Sequence, residues 1–304
     1  MRFAAPLLLL PLLAAPAFAQ DLPGDSEPVP TDCTSLFDNL GILNRDKQSH
    51  IEDTPTGCAI TNVYFGSSYS RFAIGRITLE ADDLFGAVAG HNRPAQLKLN
   101  VSGVRTSPDI DSPLNTYLIE MQQIPFELNL AYRWDATSGD FHLDDLSMHM
   151  PTIGSAVFKA ELSDVRDMPA SIEEPTDYAR GNVEKLTVTL DNHGLFTHVI
   201  APIFLGTLPY DEDPRPFIAD TQKTVIGLIE ARPDSQIDPE SKAVLARFVN
   251  AFPKPDGIYH FEIAPVDAPV SLESLVAPND NMVGLLELLA RFNLSAEYQP
   301  VAAE

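Results

Sequence analysis

From Phe126 to Trp134 the chain alternates strictly: Phe126, Leu128, Leu130, Tyr132 and Trp134 take one parity, while Glu127, Asn129 and Arg133 take the other. Successive side chains of an extended strand point to opposite faces, so this segment has one apolar face and one wet face. Ile60 to Phe65, Leu97 to Val101, Ala156 to Leu162 and Leu186 to Leu190 repeat the pattern. Parallel strands covered on both sides read as continuous apolar runs, so one-sided strands of this kind specify an antiparallel sheet with one face covered.

Two of the strands change phase partway. Phe72 and Ile74 share one parity and Ile77 and Leu79 the other, with Gly75 between them, which predicts a β-bulge. Phe141 and Leu143 give way to Leu146, Met148 and Met150 across Asp144 and Asp145, which predicts a bulge or a turn. Ahead of the strands, Leu36, Phe37, Leu40 and Leu43 follow helical spacing.

Beyond Leu190 the period lengthens. Phe217, Ile218, Thr221, Val225, Leu228 and Ile229 trace a helical stripe that stops before Pro233. Asp238 is placed to cap a second helix with Pro239 in its first position and Val244, Leu245, Phe248 and Val249 on its buried side. Gly257 to Ala264 reads as a strand, Ser271 as a cap, Met282 to Phe292 as a deeply buried helix, and Leu294, Ala296 and Tyr298 as a last strand.

These elements define an α+β chain: a mostly antiparallel, one-face-buried β-sheet through the first two thirds, with helices and a few strands in the C-terminal third. Its expected divisions are a signal peptide over 1–19, a flexible leader and disulfide-closed loop over 20–58, a β-rich domain over 59–190, and a mixed α/β region over 191–304 packed on the same core.

The signal peptide is read from Arg2, the apolar run Phe3 to Leu13, and small residues at Ala17 and Ala19 before Gln20. The run is too short, and too interrupted by Pro6 and Pro11, to cross a bilayer that needs about 20 apolar residues. Losing Arg2 with the leader takes the formal charge from −23 to −24. With 43 carboxylates against 20 bases and no basic run, nucleic acid is excluded as a partner, and the acidity serves solubility. No transmembrane span remains after cleavage.

Cys33 and Cys58 are the only two cysteines, both near the mature N-terminus of an exported chain, and a single disulfide is the economical pairing. A metal site built on the two is the weaker reading, because no His or further Cys stands at zinc-finger spacing.

The motifs of strongly patterned enzymes are missing. None of the seven His is followed by Glu, no Lys has a Ser three positions before it, and GxSxG and phosphate-cradling Gly-Lys loops do not occur. Four weaker constellations stand out. Asp140, His142 and Asp144 are spaced by two and so share one strand face, with Asp145 and His149 following, and the oxygens and imidazole of Asp140, His142 and Asp145 are candidate ligands for a divalent metal. His142 and His149 would lie roughly 23 Å apart on one continuous strand, so only a hairpin at Asp144 and Asp145 would bring both to one ion. His193 and His198 would point about 140° apart on a helix, and Asp191 to Gly194 reads better as the turn that ends a strand. Asp211 to Asp213 and Asn279 to Asn281 offer oxygens without EF-hand spacing. The uncharged run Gly194 to Leu208, broken by Pro202, reads as a kinked core segment or, functionally, as the lining of an apolar groove formed by Leu195, Phe196, Val199, Ile203 and Phe204.

Two function classes follow. The first is an exported, soluble envelope protein, periplasmic or extracellular, that acts without catalysis as a scaffold for another envelope protein or as a binder of an apolar or lipidic ligand, with no cofactor. The second is an exported, metal-assisted hydrolase using His142 with Asp140 or Asp145. Cleavage after Ala19 is directly measurable: N-terminal sequencing or intact mass of the exported protein is expected to begin at Gln20, and a retained Met1 would show an uncleaved leader.

Overall fold

The computed structural model describes residues 30–41, 43–66, 71–88, 93–107, 117, 124–166, 180–205, 213–276, 288 and 290–301. The signal peptide, most of the leader, Asn279 to Asn281 and most of Met282 to Phe292 lie outside them. The chain is sheet-rich, its paired strands run antiparallel, and it divides into two compact units. Among the described residues, one comprises 30–151 with 165–166, the other 152–164 with 180–301. The β-rich stretch expected over 59–190 therefore contributes to both.

The first unit begins with α1 (Cys33–Leu40). Asp32 caps it by accepting the Ser35 N–H at 2.7 Å, Ser35 returns a capping-box bond, and Gly41 closes the far end in the left-handed conformation, φ 61°. The helix ends at Leu40, and Leu43 belongs to the first strand. Cys33, Leu36 and Phe37 share its inner face and are buried. A disulfide joins Cys33 to Cys58, with the Cα atoms 5.4 Å apart, and pins this face onto the sheet.

Strands β1 (Leu43–Thr54), β2 (Gly57–Phe65), β3 (Phe72–Ala81), β4 (Gln96–Thr106), β5 (Phe126–Asp135) and β6 (Asp140–Met150) pair in chain order as an antiparallel meander. A short helix, α2 (Leu84–Val88), follows β3 and adds Leu84 and Phe85 to the core. That core places Leu36 and Phe37 against Ile60, Val63, Ile74, Ile77 and Val104. Strand β1 carries no apolar period, which is why sequence patterning passes over it. Among the described residues it has β2 as its one strand neighbour, and charges together with a register irregularity between Arg45 and His50 keep such an edge from recruiting another strand.

The phase change at Gly75 is real, but its origin differs from a simple bulge. Ile60 pairs with Ile77 and Val63 with Ile74, so the β2–β3 register runs through without a shift. Each strand buries residues three apart: Ile60 and Val63, Ile74 and Ile77, with Val104 continuing the row on β4. The strands switch face at one level, and neighbours that switch together need no extra residue between them. Asn62 (φ 54°) and Gly103 (φ 66°) take the left-handed conformation at this level. Asn62 is held there by its amide donating to Gln48 O at 3.2 Å and its carbonyl accepting Ser49 Oγ at 2.6 Å. A Cβ on Gly75 would approach Ser102 O to 3.2 Å.

On β6 the expected bulge is present. Ala131 faces Asp145 and Tyr132 faces Leu143, leaving Asp144 as the additional residue. Phe141 and Leu143 therefore share the apolar face with Leu146 and Met148.

In the second unit β7 (Gly154–Ser163), β8 (Asn182–Asn192), β9 (Gly257–Pro265) and β11 (Phe292–Gln299) form the antiparallel sheet, and the short β10 (Val270–Ser271) pairs with β8 and leads into α6 (Leu272–Val276). A π-helical turn (Phe196–Ile200) runs into α3 (Ala201–Leu205), followed by α4 (Pro214–Glu230) and α5 (Pro239–Asn250). Asp238 caps α5 through the N–H groups of Glu240 and Ser241, with Pro239 first in the helix, as its sequence specifies. Ile229, Ile237 and Leu245 cover Ala296, with Phe261 and Leu294 beside them. The free edge of β11 is closed by polar groups of the α4–α5 region: Leu294 N–H donates to Gln236 O at 2.9 Å and Ala296 N–H to Ser241 Oγ at 3.0 Å.

The staple makes a quantitative prediction. It closes a loop of about 26 residues, worth about 3.5 kcal/mol in the chain-entropy description. The Cys33→Ala/Cys58→Ala double variant is expected to lose roughly that much in urea unfolding, with export itself unaffected.

Candidate functional site

Asp140, His142 and Asp145 all belong to β6, and the bulge at Asp144 leaves that strand continuous. No hairpin forms at Asp144 and Asp145. Asp140 and Asp145 are therefore separated by roughly 16 Å of extended chain, beyond any single coordination sphere. Arg133 stands directly across from His142 and holds Asp144 through two bonds of 2.7 Å. That guanidinium, whose pKa Asp144 raises further, places a permanent cation where the ion would sit. Asp140 is engaged with Ser138 Oγ at 2.8 Å.

The apolar groove proposed from Leu195, Phe196, Val199, Ile203 and Phe204 also changes character. Leu195 and Phe196 are buried and Val199 is half-buried, while the side chains of Ile203 and Phe204 lie outside the described residues. Phe196 meets Phe248 edge-to-face at 5.4 Å and Phe252 at 5.8 Å, and Phe248 continues to Tyr259 at 4.9 Å. Buried Asn192 starts this segment: its side-chain oxygen accepts the Phe196 N–H at 2.7 Å, and its amide donates to Pro255 O. Leu195 and Phe196 fill interior space rather than border an opening.

His193 sits in the bend after β8, as its surrounding turn residues suggest, with Nε2 3.0 Å from Asp191 Oδ1. His198 is exposed in the π turn and is not part of that pair. Of the acidic segments, Asp213 is the cap of α4 and binds Arg215, an arrangement that lowers its pKa; Asp211, Glu212 and Asn279 to Asn281 lie outside the described residues. Among the described residues, one group of three metal-ligating side chains converges: Cys33, Asp53 and Cys58.

A surface that sequence patterning passes over is created by pairing. Along the apolar face of β5, Phe126 packs against the α1 core, and Leu130 is buried. Further along, Tyr132 stacks on Phe141 at 5.3 Å and Trp134 donates its indole N–H to Val165 O at 2.8 Å. Burial pushes the Tyr132 pKa up to about 12, so its phenol stays protonated and uncharged at neutral pH. Leu128, between these covered stretches, is 38% exposed. Its cross-strand partner is Met148, and Leu146 and Met150 flank that position, all half-buried. Four adjoining apolar side chains thus border solvent near the open end of the β5–β6 pair, next to the Glu127–His149 rung that terminates the ladder. The signal was present in the shared parity of Leu146, Met148 and Met150, but only the register sets Met148 beside Leu128.

The opposite face of the same strands is polar and internally satisfied. Asn100 Nδ2 donates to Asn129 Oδ1 at 2.6 Å and Asn129 Nδ2 to Ser147 Oγ at 3.1 Å, a side-chain ladder across β4, β5 and β6. Among the described residues, no helix is long and apolar enough to cross a membrane.

Compared with known proteins, the chain matches no protein-family model and no curated protein sequence.

The interior position of Phe196 is testable. Phe196→Ala is expected to cost about 3–5 kcal/mol in unfolding free energy, the usual loss for a buried aromatic. A change under about 1 kcal/mol would mark the side chain as cavity lining instead.

Proposed function

We propose that this chain is an exported envelope protein, periplasmic or extracellular, that binds an apolar ligand non-covalently and without catalysis. The observation that carries the reading is the exposure of Leu128 beside half-buried Leu146, Met148 and Met150, a contiguous apolar patch near the open end of the β5–β6 pair. An uncovered apolar patch retains the free energy of burial for whatever docks on it. Methionine suits such a surface because its unbranched, polarizable side chain adapts to irregular partners. The α+β arrangement supports the role, with the sheet as a plate and capped helices stiffening it elsewhere.

The disulfide supports the compartment, because such bonds persist where thiols are not kept reduced. The apolar leader, the acidic charge and the two cysteines converge on the same location. The hydrolase reading has less support, since its acid and imidazole groups are spread along one strand with Arg133 among them.

The experiment is native mass spectrometry, with solvent extraction, on protein purified from the envelope of the producing cell. A bound apolar mass is expected in the wild type and its loss in Leu128→Glu/Met148→Glu, with thermal unfolding little changed. A clean apo mass with no recoverable lipid would defeat the carrier role and leave a scaffold for another envelope protein.

A further inference from the structure

We propose that Cys33, Cys58 and Asp53 bind a thiophilic divalent cation, Zn²⁺ being the ion that suits these donors, whenever the disulfide is reduced. The sulfurs and a carboxylate oxygen of Asp53 all lie within 4.8 Å of one another. Asp53 is brought there by the β1–β2 pairing, which sets it directly opposite Cys58. The Gly57 carbonyl oxygen, 3.5 Å from Cys33 Sγ, is the nearest further oxygen donor to that sulfur and would complete the set. Two thiolates and two oxygens make a four-coordinate set, and Zn–S and Zn–O bonds of about 2.3 and 2.0 Å hold neighbouring donors roughly 3.5 Å apart. Small shifts of the three side chains reach that geometry once the sulfurs are free to separate.

The chemistry balances. A dithiol reductant passes two electrons and two protons to the S–S bond and itself becomes a disulfide, leaving two thiols on the chain. Binding of the cation releases both thiol protons to solvent, and the two thiolates with the Asp53 carboxylate more than neutralise its charge. Cys33 is the first residue of α1, where the positive end of the helix favours its thiolate. The sulfurs are buried and Asp53 is exposed, so the ion enters past the carboxylate and ends in a closed, structural site. Disulfide and metal exclude each other, and each ties α1 to β2. The proposal is independent of the apolar surface around Leu128.

The test uses the full mature chain, reduced, freed of reductant without oxygen, and titrated with Co²⁺ while thiolate-to-cobalt charge transfer is followed; Zn²⁺ is then added in competition. One Co²⁺ per reduced chain, displaced by Zn²⁺, and none on the oxidised protein is expected, with Asp53→Asn weakening binding roughly tenfold or more. Absence of a charge-transfer band, or an Asp53→Asn titration identical to wild type, overturns the proposal. Circular dichroism of the reduced chain with and without Zn²⁺ covers the case in which reduction unfolds the protein: Zn²⁺ is expected to restore the folded spectrum, and failure of Zn²⁺ either to bind or to restore it counts against the site.

Discussion

A sheet with one apolar face persists in water only if something covers that face, and in the first unit the covering helix is held by a covalent bond. Helix α1 has eight residues, too few to be stable alone in water. It gains its place from the Asp32 and Gly41 caps, from Leu36 and Phe37 in the core, and from the bond between Cys33 and Cys58. Because Cys33, Leu36 and Phe37 share a face, the disulfide and the hydrophobic contact act on the same surface. The aligned change of phase leaves the β2–β3 and β3–β4 registers unbroken, and the register shifts only on the far side of β4, between Val101 and Val104 against β5.

The second unit meets the same requirement without a covalent bond. Longer helices with good caps, α4 and α5, bring Ile229 and Leu245 onto Ala296, and the segment between them closes the edge of β11. Ser241 does two jobs there: it donates to Asp238 at the helix start and accepts from the Ala296 backbone. A cap that is local in sequence thereby becomes a tertiary contact, and the position of the whole helix depends on it. The aromatic chain from Phe252 through Phe196 and Phe248 to Tyr259 extends the packing to the turn after β8.

The apolar face shared by β5 and β6 is incompletely covered around Leu128. Residues with suggestive chemistry, such as Asp140, His142 and Asp145, are spread along β6 by the geometry of an extended chain. Side chains on one strand face are neighbours only at two-residue spacing, while a ligand-binding cluster needs atoms from different strands. Asp53 and Cys58 meet that condition across a strand pair, and Leu128 and Met148 meet it across another.

Periodicity and residue type determined the antiparallel sheet, the strand at Phe126 to Trp134, the change of phase across Asp144 and Asp145 and the cap of α5, because each rests on a few neighbouring positions; that the phase change is a bulge and not a turn was decided by the pairing with β5. Composition determined the single disulfide, since two cysteines leave one pairing. Tertiary structure decided the rest. Strand β1 exists because β2 offers it a ladder, although its side chains carry no apolar pattern. The phase change at Gly75 proceeds without a register shift because both neighbouring strands turn over at the same level. Leu195 and Phe196 became core, and Leu128 surface, according to what the fold laid over each of them. Burial belongs to the neighbours of a side chain as much as to the side chain itself, and those neighbours are distant in the chain.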